Sequence, residues 1–266
     1  MGKKLKAAPV FFTIMQVKFN PILSLLEYIP QLQERLRKAG FPDMQQGFVA
    51  TINLGSNAAS AAAEGNSPSI PVQHNVRYLF GNMNRTASFV VDPSAISFQV
   101  TEYEVFEIFV AEFMKGLQAV HETIGLSYTD RLGLRYLDAV LPKQEEALKD
   151  YLTGSILGLA EKVEGTELYS FSETVMKMGD VSVRSRATIQ TAPLAFPPDL
   201  LGLGLTVHSR FQNLSGRHAV IDTDGWMESR EPMDLERIKR QFEAIHDGIT
   251  STFKASITSH ALKVWA

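Results

Sequence analysis

Apolar and polar positions recur along this chain with two periods, and together they assign most of its length to strands and helices. Residues 9–19 (PVFFTIMQVKF) are rich in β-branched and aromatic side chains and predict a buried strand. Asn20 and Pro21 then offer a cap and a first-turn proline for a helix to Lys38. Pro30 kinks or restarts that helix, and Gly40 and Pro42 close it. Strands are predicted at 47–54, 75–81, 86–92 and 95–101, the last three joined by the turns GNMNRT and DPSA. Between the first two of these, the small and polar stretch 55–71 shows no periodicity and reads as a loop or a disordered insertion. Phe106, Phe109, Val110, Phe113, Leu117 and Val120 form one stripe of a helix over 102–123.

One more strand closes the first half, and the second half then repeats the plan loosely. The strand DRLGLRYLDAV (130–140) places Leu132, Leu134, Tyr136 and Val140 on one face and Arg131, Gly133 and Arg135 on the other. Gly133 reads as the point where a large neighbour, a helix or an aromatic ring, approaches the sheet. A helix is predicted over 144–163, then strands at 167–178 and 180–190 around a MGD hairpin turn. Strands at 205–212 and 217–223 flank the turn NLSGR, so that His208 and His218 face one another. Leu235, Ile238, Phe242, Ile245, Ile249 and Phe253 recur at spacings of three and four, the clearest amphipathic pattern in the chain. Antiparallel strands with long one-striped helices define an α+β fold with helices on one face of the sheet. The elements divide into two loosely similar halves, 1–142 and 143–266, or one continuous domain. The first half is ferredoxin-like in element order.

Composition changes this picture little. Of 266 residues, 45% are hydrophobic and 21% charged, and the formal net charge is −3, so no whole-molecule basic field draws in nucleic acid. The absence of cysteine excludes disulfides, thiolate metal sites and cysteine nucleophiles. The basic-then-apolar start is interrupted by Thr13, Gln16 and Lys18 and reads as a strand rather than a leader. No apolar run approaches the ~18 residues of a membrane span. The expectation is a cytoplasmic protein without membrane contact.

Familiar catalytic and nucleotide-binding motifs are missing, and no catalytic residue, metal or cofactor is assigned. Three sets of residues remain as candidates. Arg131, Arg135, Arg184, Arg186 and Arg210 would line a sheet surface, suited to phosphate, carboxylate or an RNA backbone. The alternative is a solvated face on which these arginines pair with Glu173, Asp138 or Asp180. Leu194, Phe196, Leu200 and Leu201 lie in the Pro/Gly-rich excursion 191–204 and read as a partner contact, or as a loop folded back on the sheet. Asp222 and Asp224 alternate onto one face near Glu228 and Glu231. They read as metal candidates, or as a strand end leading into the acidic first turn of a helix.

The segments YIPQLQERLRKAGFP, YEVFEIFVAEFMKGL with RLGLRYLDAV, and FEAIHDGITSTFKASIT resemble a sporadically distributed bacterial family of about this length with no established function. That family often carries Asn where Asp138 stands, so the resemblance implies no acid–base role for Asp138. It implies no catalytic residues, and its distribution suggests defence-associated neighbourhoods. Together these readings predict a non-enzymatic binding or assembly protein that meets a protein partner, or a second copy of itself, through a sheet face or the 191–204 loop. A nucleic-acid-binding subunit of a defence-type complex and a metal-dependent phosphoesterase are the alternatives.

Overall fold

The β-branched and aromatic runs form strands because each can bury one face and pair along its backbone. The fold is that of a computed structural model, which describes residues 7–52, 72–200, 204–212, 214 and 216–266. Its strands are β1 (Val10–Phe19), β2 (Asp43–Ile52), β3 (Val72–Gly81), β4 (Ala87–Asp92), β5 (Ala95–Val100), β6 (Tyr128–Val140), β7 (Tyr169–Met178), β8 (Val181–Thr191) and β9 (Arg217–Pro232). They make one sheet in the order β2-β3-β4-β5-β1-β6-β9-β8-β7. Every neighbouring pair is antiparallel. The sheet does not stop between the halves: β6 pairs with β1 on one side and with β9 on the other.

Helices α1 (Leu25–Lys38), α2 (Phe106–Ile124) and α3 (Leu235–Ser256) pack on one face, giving the α+β class that the patterns predict. The stripe of α2 and that of α3 meet at Phe113 and Phe242, whose ring centroids lie 5.4 Å apart in an edge-to-face contact. Both rings are fully buried. Helix α4 (Ser259–Trp265) covers the end of the helical face together with the turns Leu148–Tyr151 and Gly154–Leu157. At Gly225 of β9, α3 lies so close that an added Cβ would meet Ile245 and Ile249 at 2.8 and 2.9 Å.

Several elements depart from the pattern. Helix α1 begins at Leu25 because the Asn20 side chain accepts the Ser127 N–H at 2.8 Å, tying the end of β1 to the start of β6 instead of capping a helix. Pro30 sits on its exposed side and does not interrupt it. The predicted helix 144–163 is instead a run of single turns. Leu152 turns extended to bridge Ile257, and Gly158 takes a positive φ of 64°. No strand forms at 205–212, where Ser209–Gln212 is one helical turn. His208 and His218 therefore face nothing in common: His208 is exposed, whereas His218 is buried with Nδ1 at 2.8 Å from the Gly216 carbonyl. Strand β9 runs through to Pro232, so 220–231 is continuous strand, and Asp234 caps α3 by accepting the Arg237 N–H at 2.9 Å.

The second face of the sheet is covered in its middle by the excursion 191–214. A register shift between Val10 and Phe12 brings Phe11 and Phe12 together, and Phe196 packs edge-on against both at 5.4 and 5.3 Å. Leu200, Phe211 and Leu214 complete this second apolar layer with Leu137 and Val220. The loop is a strap folded back on the sheet, the alternative to a partner contact, with Leu194, Phe196 and Leu200 packed in this layer. Leu201 and the stretch 55–71 fall outside the described residues.

Candidate functional site

Arg131, Arg135, Arg184 and Arg186 do share one face, as their parity requires. Arg135 lies opposite Asp224, Asp224 opposite Arg184, Asp222 opposite Arg186, and Arg131 opposite Glu228. Each guanidinium has a carboxylate of its own. Arg135 donates from Nε and Nη2 to the two oxygens of Asp222 at 2.6 and 2.7 Å, and from Nη1 to Asp199 of the strap at 2.5 Å. Arg184 donates to Asp224 at 2.9 Å, Arg186 to Glu173, and Arg131 lies 3.5 Å from Glu228. Asp138 and Asp180, suggested as partners, take no part in these pairs. Arg210 is elsewhere: in the turn Ser209–Gln212 it donates to the Ala8 carbonyl and covers the Phe211 ring at 4.3 Å.

This lattice answers two of the candidate chemistries. A phosphate approaching it would have to displace a carboxylate from every arginine, which gives the nucleic-acid reading no support. Asp222 and Asp224 point the same way, but their oxygens are held by Arg135 and Arg184 rather than converging on a cation site. No group of three metal-ligating side chains gathers among the described residues. Gly133 makes room for the Arg131 guanidinium, not for a helix or an approaching ring. An added Cβ there would meet Arg131 Nη1 at 2.8 Å, and the guanidinium lies 5.8 Å from the ring of Trp226, directly opposite on β9.

The helical face holds a feature that the sequence reading passed over. The parity that buries Leu132, Leu134, Tyr136 and Val140 also turns Asp138 toward the helices. Above it lies a cavity of about 760 Å³. Its floor is the sheet: Tyr136 and Asp138 of β6, Thr223 of β9 opposite Tyr136, and Val10 of β1 opposite Asp138. Its walls are Tyr103 and Phe106 at the start of α2 and His246 and Phe253 of α3.

The polar groups of this cavity divide into a connected set and an unconnected one. The Tyr136 hydroxyl lies 3.2 Å from that of Tyr103 and 3.3 Å from His246 Nδ1, and the His246 ring stacks on Phe106 at 4.1 Å. Burial holds the pKa of Tyr136 well above its ordinary value, and burial lowers that of His246, so both are neutral near pH 7. Asp138 is the unconnected group. It is 6% exposed, no protein partner to its carboxyl is found among the described residues, and the little surface it keeps opens onto the cavity. Burial, then repulsion from Asp222 across the sheet, push its pKa up to about 8. The hydroxyls of Thr13, Thr223 and Ser185, in register on one cross-sheet row with Tyr136, are likewise buried without partners.

Compared with protein-family models, with curated proteins and with solved structures, the chain matches none. Among the described residues, no helix is long and apolar enough to cross a membrane.

Proposed function

We propose that this protein binds a small organic ligand in the cavity above Tyr136 and Asp138. The observation that carries this reading is Asp138 itself. Buried polar groups in native proteins are nearly always hydrogen-bonded to protein, water or ligand, and with no protein partner this carboxyl is satisfied only from the cavity it opens onto. Here a carboxyl without a protein partner faces a space of ligand size walled by aromatic rings, with the Thr223 hydroxyl buried unpartnered beneath it. A mostly apolar cavity with a few convergent polar groups and a perturbed titratable group is the usual form of a binding site. The test is a fragment screen read by amide NMR. Hits should move the resonances of Tyr136, Asp138, Thr223 and His246 together. Hits that move only other residues, or none at all, overturn the reading.

A second reading, self-association, is favoured by the outer face of β7. This edge strand exposes Tyr169, Phe171 and Val175 by 60%, 52% and 57%, all on the face that also carries Glu173. An antiparallel pairing of two copies about Glu173 would set Phe171 of one against Val175 of the other, each Glu173 still held by its own Arg186. Light scattering should then show a dimer that Phe171→Lys with Val175→Lys converts to a monomer. A monomeric unsubstituted protein at the same concentration removes this reading.

A further inference from the structure

Resting on the cavity reading, we infer that the ligand carries an organic cation, a protonated amine or amidine, which pairs with Asp138 beneath an aromatic wall. Among the described residues, Asp138 is the only acidic side chain on the cavity floor; Tyr136, Thr223 and Val10 beside it are neutral. A ligand carboxylate would bring a second negative charge beside Asp138, with Asp222 behind it across the sheet, whereas a cation lets the buried carboxyl ionise with its charge paired. The walls suit a cation as well. Tyr103, Tyr136, Phe106 and Phe253 offer aromatic surface, which attracts positive charge through the ring quadrupole.

The remaining charged groups set no opposite preference. From α3, Glu243, Asp247, Lys239 and Lys254 face the cavity, and from the start of α2 Glu104 and Glu107. Glu104 and Glu107 have interactions of their own, and the two α3 carboxylates are matched by the two α3 ammoniums, so Asp138 is the group that selects the charge. His246 offers no competing positive charge, because burial lowers its pKa. Asp138, which keeps its proton up to about 8 in these surroundings, would give that proton to solvent when a cation arrives.

The experiment is calorimetry at pH 7 with three probes of like shape: phenethylamine, 2-phenylethanol and 3-phenylpropanoate. Each is run in two buffers of different ionisation enthalpy, with Tyr136 and Thr223 amide shifts recorded alongside. Phenethylamine should bind at least about tenfold more tightly than the alcohol, the worth of one charged hydrogen bond, and should release close to one proton per site. Asp138→Asn should abolish both the preference and the proton release while still binding the alcohol. If that variant does not fold, Glu243→Gln at the exposed rim should weaken the amine about two- to threefold and leave the alcohol unchanged. Alcohol or carboxylate binding as tight as the amine, or amine binding without proton release, overturns the cation assignment and leaves the cavity reading standing. Silence from all three probes, with Tyr136 and Thr223 unmoved, overturns both.

Discussion

One guanidinium joins three parts of this fold. Arg135 ties β6 to β9 through a two-pronged pair with Asp222 and fastens the strap through Asp199. Removing it by Arg135→Ala strands a buried carboxylate, at a cost of roughly 3–5 kcal/mol in denaturant unfolding. Arg135→Lys should recover little, because an ammonium cannot bridge both oxygens of Asp222 and reach Asp199. Asp138 makes the opposite kind of prediction. Its folded pKa of about 8 lies above its ordinary 3.8, so between those values the folded state binds the proton and the unfolded state does not. Stability contributed by the protonated form is complete below pH 4, declines as pH rises, and is gone once pH passes about 8, with a slope of at most about 1.4 kcal/mol per unit. Asp138→Asn should remove that slope, so the difference between variant and parent, near zero at pH 4, should grow in favour of the variant up to pH 8. A constant difference across that range would show that Asp138 is ionised in the folded protein. At Gly225, substitution by Ala should cost about 1–3 kcal/mol, since Ile245 and Ile249 already occupy the space of a Cβ.

Among elements, those set by a strong single period are the ones legible in the chain. The stripes of α2 and α3 and the alternation of β6 and β8 find their buried faces as read, because one apolar side per element dictates orientation. Where local preference and tertiary need disagree, the sequence misleads. KQEEALKDYLTGSILGLAEK is composed largely of helix formers, yet Leu152 is drawn into an extended bridge to Ile257 and the apolar side chains fill gaps beside α4. The acidic stretch 220–231 looks like a helix start because carboxylates favour one, but those carboxylates are counter-charges for arginines on β6 and β8. The excursion 191–214 carries no period at all. Its place over Phe11 and Phe12 depends on the register shift near the start of β1, nearly two hundred residues away in sequence. Shortening the strap by deleting 194–200 should uncover both rings and lower the melting temperature, with increased binding of a hydrophobic dye as a second readout.

At the scale of the molecule, the cavity was illegible for a different reason. Its walls come from residues near 8, 103, 136, 223, 246 and 262, and no short window contains two of these segments. One clue was present: in the alternation Leu134, Tyr136, Asp138, Val140, a carboxyl occupies a core register. That parity alone separates Asp138 from the solvent-facing acids, though it gives no hint of the space above it. The single sheet, in turn, has a consequence for the order of events in synthesis. By the time Val140 is made, β1 has its partners β5 and β6, but the strap that shields Phe11 and Phe12 and the helix that covers Phe113 have yet to be translated. A growing chain must therefore hold two incomplete apolar surfaces in water while roughly a hundred residues are added, several seconds at ordinary ribosome speeds. Nascent protein stalled in that window is the form most exposed to aggregation and most in need of a chaperone, and released fragments ending near residue 142 should aggregate more readily than the full chain.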